Sequence, residues 1–272
     1  MKTAAGFLAL ARGKIDRLDA RLLLQEICGL THALLIAEPE TTLSPEHWHQ
    51  LEDLLERRAA GEPLAYLLGH AEFRGRNFRV TPDVLIPRPE TEELLSLALS
   101  FLAATSTPRC VDLGTGSGII AISLKLEYPQ AEIHAVDVSF AALAVAKENA
   151  RQSGADITFH QGSWYAPLAG QRFDLIVANP PYVAAGDPHL VLNGLPHEPQ
   201  MALTDGADGL ECIRAIVSGA ARHLLSGGWL FFEHGYDQAE AASDLLATAG
   251  FQAVFTKTDL AGIDRISGGR LP

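Results

Sequence analysis

Cysteine is scarce in this chain: three in 272 residues, Cys28, Cys110 and Cys212, scattered and odd in number. No two have metal or redox spacing, which argues for a reduced, cytoplasmic protein. No apolar run reaches membrane-spanning length, and the start, Met1-Lys2-Thr3, lacks the apolar core of a signal peptide, so neither a membrane partner nor export is expected. Positive charge is also short: 21 Lys and Arg stand against 33 Asp and Glu, a net charge of −12. Phosphate backbones repel such a chain, so a direct nucleic-acid partner is not expected without a local basic face. The ten histidines show no zinc spacing, so no metal is expected and they read as surface or packing residues. Internal repeats and low-complexity segments are absent too. What is present is 47% hydrophobic residues, enough for a well-filled core, and length for one large domain plus a small one.

Residues 1–70 read as a small helical domain. Leu22, Leu23, Leu24 and Ile27 recur among charges in an amphipathic pattern. Ser44-Pro45-Glu46 is a helix start: a capping hydroxyl, a proline at the first position, an acid at the positive dipole end. That helix continues through Trp48, Leu51, Leu54 and Leu55 and stops at Gly61. With no catalytic constellation here, partner docking and a structural cap both remain open. Residues 71–89 read as a hairpin, Ala71-Glu72-Phe73-Arg74 to Phe78-Arg79-Val80 around Gly75, and then a stiff linker, Pro87-Arg88-Pro89. Arg88 is either an exposed linker charge or part of a lid. The acids after it suit the start of a helix through Leu94, Leu95, Leu97 and Leu99.

Residues 90–272 read as a doubly wound α/β domain. Cys110-Val111-Asp112-Leu113 is a short strand running into Gly114-Thr115-Gly116-Ser117-Gly118 and then an apolar helix. Strand, glycine loop and helix make a nucleotide-binding turn, because glycines let the backbone approach a ligand and the helix N-terminus offers free N–H groups. A second strand ends in Asp137, nineteen residues after Gly118, where a carboxylate accepts hydrogen bonds from ribose hydroxyls or caps the helix from Ser139. Trp164, after a third strand, either stacks on an adenine or packs. A fourth strand, Phe173-Asp174-Leu175-Ile176-Val177-Ala178, runs into Asn179-Pro180-Pro181-Tyr182. Two prolines cannot continue a strand, so Asn179 is held stiffly at its carboxyl end, where open α/β sheets bind ligands. Glu233 ends a later buried run, as site support or as a solvated strand end. The segments at Phe251 to Phe255 and Ile263 to Ser267 are expected to finish the sheet as an antiparallel pair.

A dinucleotide enzyme would carry Gly-x-Gly-x-x-Gly; this chain has Gly-x-Gly-x-Gly with Asp112 two residues ahead. Together with Asn-Pro-Pro-Tyr, that resembles S-adenosylmethionine-dependent methyltransferases of the doubly wound class, in which the Asn-Pro-Pro-Tyr corner serves methylation of a planar nitrogen. An amide nitrogen is a poor nucleophile, its lone pair being spread into the carbonyl. Two acceptors, the side-chain oxygen of Asn179 and the backbone carbonyl of Pro180, each take one N–H and aim the lone pair at the methyl group. Those bonds strengthen as the nitrogen becomes tetrahedral. Placement of this kind is worth up to ~7–11 kcal/mol. Tyr182 is expected to line the planar group by stacking. Adenine N6, cytosine N4 and a glutamine amide fit this chemistry equally.

The wider pattern is more specific. Glu62-Pro63-Leu64-Ala65-Tyr66, Gly69, Glu72-Phe73, Val84-Leu85-Ile86-Pro87-Arg88-Pro89-Glu90-Thr91-Glu92, the glycine loop, Asn179 to Tyr182 and Glu198-Pro199 resemble the HemK/PrmC family. These are glutamine N5-methyltransferases of class-one peptide-chain release factors, and the match spans essentially the whole chain. The resemblance implies S-adenosyl-L-methionine as cofactor, held by Gly114, Thr115, Gly116, Ser117, Gly118, Asp137, Trp164 and Asn179. It implies a release factor as protein partner, docked by the helical domain, its Gly-Gly-Gln glutamine bound across Asn179, Pro180, Pro181 and Tyr182, with Asn179, Pro180 and Tyr182 catalytic. A monomer is expected. Gly194-Leu195-Pro196-His197 departs from the more charged or aromatic stretch of relatives. Nucleic-acid adenine N6 methylation and a non-catalytic cofactor-binding module are the alternatives.

Overall fold

The computed structural model describes residues 2–102, 106–192 and 194–272. The chain divides into two compact units, Met1–His70 and Ala71–Pro272. The first holds α1 (Ala4–Ala11), α2 (Arg17–Cys28), α3 (His32–Ala37), α4 (Pro45–Ala59) and α5 (Leu64–Leu68). Each of the first four starts under a side-chain cap: Thr3, Asp16, Thr31 and Ser44 accept from backbone N–H groups of the first turn. Phe7, Leu23, Leu24, Leu51 and Leu55 are completely or almost completely buried and form this unit's own core. The helix start expected at Ser44 is present, with the Ser44 hydroxyl accepting from the His47 N–H at 3.1 Å.

After the helices comes a hairpin, β1 (His70–Phe73) and β2 (Arg76–Arg79), then α6 (Thr91–Leu102). The larger unit is built on a seven-stranded sheet. Its elements alternate: β3 (Arg109–Leu113), α7 (Ile119–Glu127), β4 (Glu132–Asp137), α8 (Phe140–Ser153), β5 (Thr158–Gln161) and β6 (Phe173–Ala178). Then come α9 (Gln200–Leu203), α10 (Glu211–His223), β7 (Leu224–Glu233), α11 (Ala239–Thr248), β8 (Gln252–Thr258) and β9 (Asp264–Arg270). Strand order is β5-β4-β3-β6-β7-β9-β8, with β9 antiparallel to both of its neighbours. The antiparallel finish expected from the sequence is therefore present, and β7 begins at Leu224, with an irregular register opposite Phe173 to Leu175. Two apolar layers flank the sheet: α6 and α7 contribute Leu94, Leu95, Ile120 and Leu124 to one, and α10 and α11 contribute Ile213, Ile216, Val217 and Leu246 to the other. Near-continuous apolar strands are what a parallel sheet covered on both faces requires. Among the described residues, no helix is long and apolar enough to cross a membrane.

Strand order reverses between β3 and β6, and the registers there align the strand ends. Leu113 pairs with Val136 on one side and Ala178 on the other, and Ala178 pairs with Phe232. The next residue along each chain segment therefore lies at one level at the carboxyl edge of the sheet: Gly114 and Asn179 just past their strands, Asp137 and Glu233 as the last residues of theirs. A crevice at the carboxyl ends of parallel strands, at such a reversal, is where these sheets take ligands.

Candidate active site

The crevice is a cavity of about 310 Å³. It is lined by the loop residues Gly114, Thr115, Gly116 and Ser117, by Asp137 and Trp164, and by Asn179 and Pro181. The Ile86-Pro87-Arg88 segment and the Pro199 to Asp205 segment complete the wall.

The glycine loop is pinned from behind. Gly114 and Thr115 N–H groups both donate to the Val136 carbonyl, at 2.8 and 2.9 Å. Asp112, fully buried, accepts from the Thr115 hydroxyl at 2.6 Å and the Ala121 N–H at 3.3 Å, while its other oxygen has no partner. Burial raises its carboxyl to about 7 against those two bonds. Gly116 has φ +55°, and a Cβ there would meet no protein atom within 4 Å, so the backbone is open to a ligand. Gly118 differs from expectation. It does not line the cavity, and its Cβ would lie 2.9 Å from Ile122 Cδ1 and 3.2 Å from Ala146 Cβ, so its glycine serves the close packing of α7 on α8.

Asp137 accepts from the Gly116 N–H through Oδ2 and from the Ser139 N–H through Oδ1, both at 2.9 Å. Burial raises its pKa against these bonds. The cap of α8 is Ser139, whose hydroxyl accepts from Ala142. Trp164 sits at φ +46°, a left-handed conformation unusual for a bulky residue, with its ring against Gly114: a Cβ on that glycine would be 3.4 Å from Cζ3. Trp164 both lines the cavity and packs on the core.

At the other end, Asn179 Nδ2 donates to Thr91 Oγ1 at 3.0 Å, and Thr91 Oγ1 donates to Glu233 Oε2 at 2.8 Å. The Tyr182 hydroxyl donates to Glu233 Oε1 at 3.2 Å. Thr91 and Glu233 are buried, so Glu233 is not a solvated strand end. Its carboxyl is raised to about 7, burial outweighing the Thr91 and Tyr182 bonds. Burial likewise pushes the Tyr182 hydroxyl up. Pro180 is buried and Tyr182 half-buried, and neither lines the cavity; the Tyr182 ring, expected to stack on the substrate, carries a hydroxyl bonded to Glu233. Gln238 holds the Tyr182 carbonyl through Nε2 at 3.0 Å.

Arg88 is not a free linker charge. Its guanidinium donates to Glu198 Oε1 at 2.6 Å, and the Ile86 N–H donates to Oε2 at 3.0 Å. Asn149 of α8 ties the Ser117 carbonyl and both backbone groups of Arg79 together. Thr91, Gln238 and Asn149 were not legible as site residues; each lies on a helix or helix cap far along the chain from what it holds. The cavity thus offers backbone amides, a carboxylate and an aromatic face at one end, and a fixed carboxamide at the other. Among the described residues no group of three or more His, Cys, Asp or Glu is placed to hold a metal.

Comparison with known proteins agrees with this arrangement. The PrmC N-terminal domain model matches residues 1–69 and the methyltransferase small domain model matches 94–238. The release factor glutamine methyltransferase of Bordetella pertussis is 51% identical over 96% of this chain and 97% of its own. That of Burkholderia pseudomallei is 48% identical over 95% and 93%. Among solved structures, a 16S rRNA methyltransferase of T. thermophilus, in complex with AdoMet and guanosine, shares the fold at a TM-score of 0.56 and 21% identity, covering 75% of this chain and 50% of that one. With a cavity of this form and relatives matched from end to end, the chain belongs to the release factor glutamine methyltransferase family and is a methyltransferase of the class I fold.

Proposed function

We propose that the protein transfers a methyl group from S-adenosylmethionine to the side-chain nitrogen of the glutamine in the Gly-Gly-Gln loop of a class-one release factor. The observation that carries this reading is the carboxamide of Asn179. Its Nδ2 is committed to Thr91, and no donor among the described residues reaches its Oδ1. That oxygen is left to accept a hydrogen bond from a ligand in the cavity, which suits an incoming NH2.

The residues present fit the cofactor. Gly116 leaves backbone room, the Asp137 carboxylate lines the cavity as an acceptor for ribose hydroxyls, and Trp164 lines it too. When bound, S-adenosylmethionine supplies an electrophilic methyl on a positively charged sulfur. Everything else falls to the chain. Asn179 Oδ1 takes an amide N–H bond and turns the nitrogen lone pair into the cavity. The prolines hold that corner at fixed φ. Ile86, Pro87, Arg88 and Pro199 wall the cavity. Because N-methylation makes the nitrogen strongly acidic, its proton needs no strong base. Holding the amide in this pose is a positioning effect and does most of the work.

The excess of acidic residues disfavours the nucleic-acid alternative. The test is incubation with methyl-labelled cofactor and either a release factor or its variant with the loop glutamine replaced. Label is expected on the first alone; equal labelling of both overturns the assignment.

A further inference from the structure

The Asn179 carboxamide gives its Nδ2 to Thr91 and leaves its Oδ1 with no donor among the described residues, although its two ends are nearly the same size and a half-turn exchanges them. The groups behind the site decide which end faces inward. Thr91 Oγ1 has one proton, and Glu233 Oε2 stands 2.8 Å away in a fully buried position. When Glu233 is ionised it is acceptor-only, so the proton goes to it. Thr91 Oγ1 then faces Asn179 at 3.0 Å with lone pairs alone, and the group it meets must be the NH2. Glu233 is in turn held at its second oxygen by Tyr182, three residues beyond Asn179.

We propose that Thr91 and Glu233 are positioning residues for methyl transfer, a relay that fixes which atom of the Asn179 carboxamide faces the substrate. This deepens the glutamine-methylation reading and rests on it for the turnover experiments. A reversed carboxamide would set NH2 against NH2, leaving the substrate nitrogen unheld. The relay is remote in sequence, 88 residues from Asn179 back to Thr91 and 142 from Thr91 on to Glu233, yet lies within one unit. Protonation of Glu233 reverses its logic: a carboxyl O–H donates to Thr91, freeing the Thr91 proton for Asn179 Oδ1. The charged and titratable groups facing Glu233 are Glu90 ahead of α6, Tyr182 after β6 and Arg265 in β9.

The decisive comparison is T91V against T91S. Removing the hydroxyl is expected to lower kcat at least tenfold with the cofactor Kd within twofold of wild type, and T91S, which restores the hydroxyl, to recover activity to within about threefold. Wild-type kcat in T91V, a parallel loss of cofactor affinity, or equal impairment of T91S overturns the proposal. Should T91V fail to fold, E233Q decides: a lowered kcat and loss of the acid limb of the pH profile are expected, and retention of that limb or of wild-type kcat overturns it. A readout free of turnover separates this from the functional reading. In nitrogen-labelled protein, the Asn179 side-chain NH2, assigned through N179D, is expected to be protected from solvent exchange in wild type and T91S and unprotected in T91V. If the wild type leaves release factors unlabelled while that protection is present, the substrate assignment fails and the relay stands; if protection does not depend on the Thr91 hydroxyl, the relay fails whatever the substrate.

Discussion

Replacing Glu198 with alanine should loosen the cavity wall, and the structure sets the size of the effect. The Glu198 side chain is 2% exposed and accepts two hydrogen bonds, from the Ile86 N–H at 3.0 Å and Arg88 Nη2 at 2.6 Å. Hydrogen bonds to a charged acceptor contribute roughly 1.5–3 kcal/mol each. The Arg88 side chain is 30% exposed, so water takes over much of what it loses, and that half counts for little. The expected cost is therefore about 2–3 kcal/mol. For a unit of this size, each kcal/mol moves the melting midpoint by roughly 2–4 °C, giving a fall of about 4–12 °C in the transition of the larger unit. Two compact units are not one two-state system, so the transition must be followed by a probe in the larger one, such as fluorescence of Trp164 and Trp229 with Trp48 replaced. Because Ile86, Arg88 and Pro199 line the cavity, S-adenosylmethionine should also bind more weakly by calorimetry. E198Q, which keeps an oxygen for the Ile86 N–H, should lose about half as much. A midpoint fall below about 2 °C with unchanged cofactor affinity would refute the bracing role.

The same geometry sets other outcomes. N179A should abolish turnover while binding S-adenosylmethionine within a few-fold of wild type, checked by single-turnover labelling beside calorimetry. G118A places a Cβ 2.9 Å from Ile122 Cδ1 at φ +85° and should destabilise by about 1–3 kcal/mol in urea unfolding, more than G116A, whose Cβ meets open space. Glu233 is raised from 4.5 to about 7, so between those values the folded state binds more protons than the unfolded one. Stability from this group is complete below pH 4.5 and lost as pH rises through 7, and E233Q should flatten that part of a melting-versus-pH curve. Activity runs the other way if the relay needs the ionised form: kcat should fall as pH drops below about 7.

Much of the fold and site was legible in the sequence because local chemistry dictated it. Ser44-Pro45-Glu46 starts a helix in any context, Gly114 to Gly118 between a strand and an apolar helix forms one kind of turn, and Asn179-Pro180-Pro181 must end β6. Asp137 could be placed at a strand end from the alternation of strand and helix alone. What was hidden depends on register and on distance along the chain. Gly118 belongs to the same loop as Gly116, and nothing local tells a glycine kept open for a ligand from one kept small for a neighbouring helix; the difference is Ala146, which only the packing of α8 supplies. Tyr182 reads as a ring for stacking, and its hydroxyl finds its partner only once β7 pairs with β6.

The same pairing explains the cost the fold tolerates. Asp112 and Glu233 are both completely buried, both raised to about 7, and both sit at the carboxyl ends of strands flanking the site. A sequence optimised for stability would replace either with an apolar residue, since an ionised carboxylate buried with few partners opposes folding at neutral pH. Each instead holds a hydroxyl: Asp112 that of Thr115 in the glycine loop, Glu233 that of Thr91 behind Asn179. The two ends of the cavity are thus oriented by one device, a buried carboxylate taking a threonine proton so that the threonine oxygen or its backbone is left in a defined state. Pairing D112N with E233Q should then raise the melting midpoint above that of either single variant at pH 8 while lowering turnover more than either. A double variant that is less stable than wild type at that pH, or that turns over normally, would show that these carboxylates serve the packing and not the geometry of the reaction.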